Sequence, residues 1–127
     1  MTETSMRAGP AEFDLAAMKR AIEQSDAEAL IAFYADDAEM EIVDRDRPPS
    51  APMRLKGRQA IEAHLRDVCG RAMKHEVSDE VAGNGRAALV ERCAYPDGCH
   101  VVAATTLELR GGRIAHQLVV QAWDATG

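Results

Sequence analysis

Ser25-Asp26-Ala27-Glu28-Ala29-Leu30-Ile31-Ala32-Phe33-Tyr34-Ala35-Asp36-Asp37-Ala38-Glu39-Met40-Glu41-Ile42 changes its hydrophobic period once, and that change decides the fold. Ser25 and Glu28 have capping-box spacing, and Ala27, Leu30, Ile31 and Tyr34 form the apolar stripe of a short helix behind them. After Ala38 the period falls to two. Met40 and Ile42 alternate with Glu39 and Glu41, which marks a half-buried strand ending near Asp44. Upstream, Leu15, Met18 and Ile22 recur at helical spacing and predict a first helix over about residues 12–24, paired with the second as a hairpin.

Downstream, Arg45-Asp46-Arg47-Pro48-Pro49-Ser50-Ala51-Pro52 reads as a mixed-charge loop, because its prolines lack backbone donors and push their predecessors toward extended conformations. A third helix is expected after Gly57, with Ile61, Leu65 and Val68 on one side, stopping near Gly70. The remainder predicts four strands, near residues 76–81, 87–95, 100–109 and 114–124, divided by Gly83-Asn84-Gly85, Pro96-Asp97-Gly98 and Gly111-Gly112. Tight turns between consecutive strands make an antiparallel meander. The whole order is α+β, with three helices of the N-terminal part packed on a curved antiparallel sheet.

A chain of 127 residues with 46% hydrophobic content fits one domain, expected over residues 11–125 behind a frayed leader at 1–10. Fifteen basic against 21 acidic residues leave a net charge of −6, which repels phosphate backbones and anionic lipid and argues against nucleic acid and membrane partners. No apolar run approaches the roughly 20 residues of a membrane span. The acidic N-terminus lacks a secretory signal's hydrophobic stretch, so a cytoplasmic location is expected. Cys69, Cys93 and Cys99 form neither an even framework nor a C-x-x-C pair and read as free thiols. His64, His75, His100 and His116 include no H-x-H or H-x-x-x-H pair, so neither a metal nor another cofactor is expected.

Three phrases carry a resemblance: Ser25-Asp26-Ala27-Glu28-Ala29-Leu30 leading into Phe33-Tyr34-Ala35-Asp36-Asp37-Ala38, then Lys56-Gly57-Arg58-Gln59-Ala60-Ile61, then Gly112-Arg113-Ile114 with the closing Ala122-Trp123-Asp124. Together they resemble the nuclear transport factor 2-like superfamily, and within it the SnoaL-like, polyketide-cyclase and ketosteroid-isomerase-like branch. The resemblance implies a cone-shaped, cystatin-like α+β barrel, an apolar cavity for a small hydrophobic molecule, and a homodimer. It implies either cofactor-independent acid/base chemistry of isomerase, cyclase, dehydratase or hydrolase type, or a non-catalytic ligand-binding or dimerising module. The isomerases' three chemical positions carry over to Ile42 for the general base, near Met18 for the tyrosine and near Thr105 for the protonated aspartic acid. None of these can do that chemistry, so the steroid-isomerase mechanism is not expected.

Other residues remain as candidates. The period of two sets Asp44 on the side of Met40 and Ile42, as a general base or as a partner of Arg45 or Arg47. The resemblance turns Gln117, Val119, Gln121 and Trp123 inward, where the two amides either orient a ligand or are satisfied by neighbours such as Thr105. His64, beside the stripe of the third helix, and His75, at the start of a strand, are candidate proton shuttles or structural histidines. Tyr34 is a core residue whose hydroxyl reaches toward the pocket. Of the adjacent Glu91 and Arg92, one must face inward: Glu91 would be a catalytic carboxylate, Arg92 an anion-binding group or a partner of Asp79 or Asp44. The hairpin at Pro96-Asp97-Gly98 sets which. Cys93 shares the face of Glu91. On the last strand's other face, His116, Leu118, Val120 and Ala122 suggest a surface covered by a second subunit.

Overall fold

The computed structural model describes residues 13–125, so the leader expected over 1–10 lies outside the described residues. Helix α1 spans Leu15–Glu23 and is capped by the Asp14 carboxylate, which accepts from the Ala17 N–H at 2.9 Å. It buries Met18, Ala21 and Ile22. Helix α2 spans only Ala27–Ile31, and its N-cap is Asp26, which accepts from Ala29 N–H at 3.1 Å, rather than the expected Ser25. Ser25 is used through its backbone instead. Its φ of 53° makes the left-handed turn that closes α1, with Ser25 N–H donating to the Ile22 carbonyl and Asp26 N–H to that of Ala21.

Tyr34, expected on the second helix, opens strand β1 (Tyr34–Val43). The cause is tertiary: the Phe33 carbonyl accepts from Ile114 N–H at 2.8 Å, and Tyr34 aligns in parallel with Ile114. After the proline loop comes a strand the sequence reading lacked, β2 (Met53–Lys56), with Met53 and Leu55 half-buried and Arg54 and Lys56 exposed. It pairs antiparallel with β1, Met53 opposite Ile42 and Lys56 opposite Glu39. Gly57 then takes φ +89° and ψ 151°, a conformation a side chain disfavours, to start α3 (Arg58–Cys69), which buries Ile61 and Leu65.

The meander follows as β3 (Lys74–Gly83), β4 (Arg86–Ala94), β5 (His100–Arg110) and β6 (Arg113–Trp123). Asn84 and Gly85 both hold positive φ, 55° and 74°, as a two-residue hairpin matched to strand twist requires. Sheet order is β2-β1-β6-β5-β4-β3. The sheet is mixed rather than wholly antiparallel, since β1 runs parallel to β6, and it curves without closing, leaving β2 and β3 as edges. One face is covered. On β5, Val101, Ala103, Thr105 and Leu107 are buried while Val102, Ala104, Thr106 and Glu108 are exposed. Helix α1 packs on β3, α3 on β1 and β2, and α2 lies against α1 and α3. No helix among the described residues is long and apolar enough to cross a membrane.

The core lies between the helices and the concave face, with Ile114 and Ala38 wholly buried and Tyr34, Ile61 and Leu107 nearly so. Within it the Tyr34 hydroxyl donates to Gln117 Oε1 at 2.5 Å, a side-chain bond joining β1 to β6. Burial, reinforced by Glu91 and Cys69, pushes the Tyr34 hydroxyl's pKa well above the usual phenol range.

Two outcomes are expected. Ile114→Ala empties a fully buried site and should cost about 2–5 kcal/mol, read from chemical-denaturation midpoints. Tyr34→Phe should cost about 1–3 kcal/mol by leaving the Gln117 carbonyl without its donor. Because folding raises the Tyr34 pKa, its contribution to stability is complete below the unfolded phenol's value of about 10 and declines as pH rises beyond it. In a Tyr95→Phe background, phenolate absorbance should therefore stay flat past that pH until the chain unfolds. A rise while circular dichroism remains native would show that Tyr34 is solvated.

Candidate functional site

Helices and sheet enclose a cavity of about 410 Å³ that opens at the end of α3 and the loop following β1. Its lining is mixed, with aliphatic side chains from Ile22 and Leu30 on the helices, Leu65 and Val68 on α3, and Met40, Ile42, Ala103 and Val119 on the sheet, and charged ones gathered at the mouth, Asp46, Arg47, Asp67 and Arg71 among them. Tyr34, Gln117, Gln121 and Trp123 also line it, as do Asp44, His64, His75 and Glu91. Thr105 does not. It is 2% exposed, packed in the inner face of β5, and its hydroxyl finds no partner among the described residues. Gln117 is accordingly satisfied by Tyr34 rather than by Thr105, and the Gln121 carbonyl accepts from the Trp123 indole N–H at 2.9 Å.

The carboxylate of Asp44 is already engaged. One oxygen accepts from Asp46 N–H at 2.9 Å and the other from the Arg47 guanidinium at 3.2 Å, which ties the loop after β1 into a turn at the mouth. Arg45 instead lies over the Trp123 ring, 4.2 Å from its centroid. Tyr95 stacks near Trp123 at 5.9 Å and accepts a hydrogen bond from Arg71 at 3.2 Å. Arg45, Arg71 and Tyr95 were absent from the sequence candidates. They come from loops and element ends, where no periodicity points inward.

The register of β4 against β5 answers the question of Glu91 and Arg92. Cys93 faces Val101, Glu91 faces Ala103 and Leu89 faces Thr105, so Glu91 belongs to the buried alternation. Arg92 is exposed and donates to Ser78 Oγ at 2.7 Å.

His75 is set by the opposite hairpin. Pairing outward from the Asn84-Gly85 turn matches Gly83 with Arg86 and Val81 with Ala88, a register that would bring His75 opposite Ala94 on the outer face. A bulge between Ser78 and Val81, with Asp79 at φ 56°, shifts it by one residue. His75 then faces Cys93 and turns inward. Its Nδ1 lies 3.3 Å from Cys93 Sγ and 3.5 Å from Glu91 Oε1, and these two acceptors lift the imidazole's pKa to about 9. Across the cavity, His64 is shifted the other way. Burial pushes its pKa down, and the Arg71 and Arg47 charges assist against the opposing Asp67.

Solved structures share this architecture. A nuclear transport factor 2-like protein of unknown function from Mesorhizobium loti superposes with a TM-score of 0.75 at 18% identity, over 85% of this chain and 87% of its own. A candidate ketosteroid isomerase from Kribbella flavida gives 0.71 at 17% identity, over 89% of this chain and 76% of that one. A candidate polyketide cyclase from Sinorhizobium meliloti gives 0.62 at 18%, over 83% and 91%. At such identities the likeness establishes the fold, that of nuclear transport factor 2-like proteins. Among curated proteins none matches this sequence. The family model of the SnoaL-like domain matches residues 15–117, from the first helix into the last strand, and the chain belongs to that family.

Proposed function

We propose that the chain binds a small, largely hydrophobic organic molecule in this cavity and moves a proton on it. Isomerisation, cyclisation, dehydration and hydrolysis are the reaction types within that reading. The observation that carries it is the placement of Glu91, beside His75 and opposite Ala103, on the wall of a cavity of about 410 Å³ that polar and aliphatic side chains line together. A carboxylate held against apolar walls, with one cationic or hydrogen-bonding neighbour, is a suitable proton-accepting group. Glu91 takes this role in preference to Asp44, whose oxygens already hold the mouth loop. Gln121 and Trp123 orient the ligand from β6, and Tyr34 with Gln117 forms the polar floor.

A second reading, a non-catalytic carrier, is favoured by Ile42, which occupies the position of the isomerases' general base and is itself buried in the cavity wall. Val102 and Val120 stand exposed on the convex face, and a homodimer formed through that face is part of the same proposal.

The test is a thermal-shift screen of steroids, aromatic polyketides, terpenoid epoxides and acyl compounds, followed by turnover assays on the hits. Glu91→Gln should keep ligand binding and lower turnover by about a hundredfold or more. Turnover indifferent to that substitution removes Glu91 from the chemistry. Binding without turnover in the wild type gives the carrier reading.

A further inference from the structure

Three donor atoms distant in sequence meet at one end of the cavity: His75 Nδ1, Cys93 Sγ and a Glu91 carboxylate oxygen, all within 4.8 Å of one another. The His75 side chain is 5% exposed and that of Glu91 21%, and Cys93 is buried. Both neighbours approach the same imidazole nitrogen. A nucleophilic triad needs its nucleophile and its acid at opposite ring nitrogens, so this arrangement converges on a point instead of relaying a proton.

Convergence is what a metal ion requires. In a tetrahedral zinc site, with Zn–S about 2.3 Å and Zn–N and Zn–O about 2.0–2.2 Å, the ligand atoms stand about 3.3–3.6 Å apart. The two separations from His75 Nδ1, 3.3 and 3.5 Å, already fall in that range. The donor set selects the ion: thiolate with imidazole suits zinc-type transition metals, whereas calcium and magnesium want oxygen ligands throughout. Among the described residues no fourth histidine, cysteine or carboxylate joins the cluster. All three residues line the cavity, and three protein ligands with one side open is the form of a catalytic rather than a structural site.

We propose that His75, Glu91 and Cys93 form a three-ligand site for a divalent transition-metal ion of the zinc type, with its remaining position turned to the cavity. The proposal rests on the cavity being the ligand site and deepens that reading, since the proton-accepting group at this end becomes a metal-bound water instead of the bare carboxylate. Hydrolysis or hydration of a small organic molecule is the reaction class such a water favours.

The experiment uses the full, tag-free chain, treated with a chelator, dialysed and titrated with cobalt(II) alone. One equivalent should produce a thiolate-to-cobalt charge-transfer band in the near ultraviolet and the visible bands of tetrahedral cobalt, both abolished by zinc. Cys93→Ser should lose the charge-transfer band. His75→Gln should weaken cobalt binding by more than about a hundredfold, beyond the range for residues that only support a ligand. Cys69→Ser and Cys99→Ser should leave the spectrum intact.

A wild-type chain that gives no band at one equivalent overturns the metal site whatever the variants do, as does a band that survives in folded Cys93→Ser. A chain without the cobalt spectrum whose chelator-treated turnover still depends on Glu91 keeps the acid–base reading and loses only the metal. A cobalt spectrum in a chain that takes none of the organic ligands keeps the metal and overturns the cavity's proposed use.

Discussion

The parallel seam between β1 and β6 is the one junction of the sheet that no hairpin supplies. Every other neighbouring pair of strands follows directly in the chain, whereas β1 must wait for β2, α3 and the whole meander before its partner arrives. The register from Glu39 opposite His116 to Val43 opposite Val120, the Phe33–Ile114 backbone bond and the Tyr34–Gln117 side-chain bond hold that seam. If it opened, β1 and β2 would be joined to the meander only through the helices, since α1 packs on β3, and the cavity would lose one wall. Its contacts are long-range and costly to close in chain entropy, and the wholly buried Ile114 and the nearly buried Tyr34 lie along it.

Much of this architecture was legible in the sequence because it follows from local rules. Apolar residues at helical spacing mark α1, α2 and α3, and Gly83-Asn84-Gly85 and Gly111-Gly112 mark turns of the meander. Where local reading erred, a distant partner had decided. Tyr34 fits a helical stripe equally well, and only Ile114, far along the chain, draws it into a strand. Strand β2 is four residues long behind a proline loop, too short to declare a period.

The site was legible in its residue types more than in its geometry. Gln117, Val119, Gln121 and Trp123 share a face by simple alternation, and the structure lines the cavity with all four. The meeting of His75, Glu91 and Cys93 depends on one extra residue near Asp79, and strict alternation counted from the Asn84-Gly85 turn would turn His75 to the outer face. Thr105 shows the reverse case: it has the right face and sits too deep, beneath the lining instead of in it. A bulge and a depth are both properties of packed strands, and neither has a signature in composition.

The mouth of the cavity has a practical consequence. The chain contains a single tryptophan, Trp123, and it stands where Arg45 covers its face, Tyr95 stacks alongside and the Gln121 carbonyl accepts a hydrogen bond from its indole N–H. Its emission is therefore an intrinsic optical gauge of the entrance, unmixed with signal from any other indole. If the cavity takes the organic molecule proposed above, a guest passing this ring would displace the guanidinium or alter the polarity around the indole, and fluorescence would report it without an attached label.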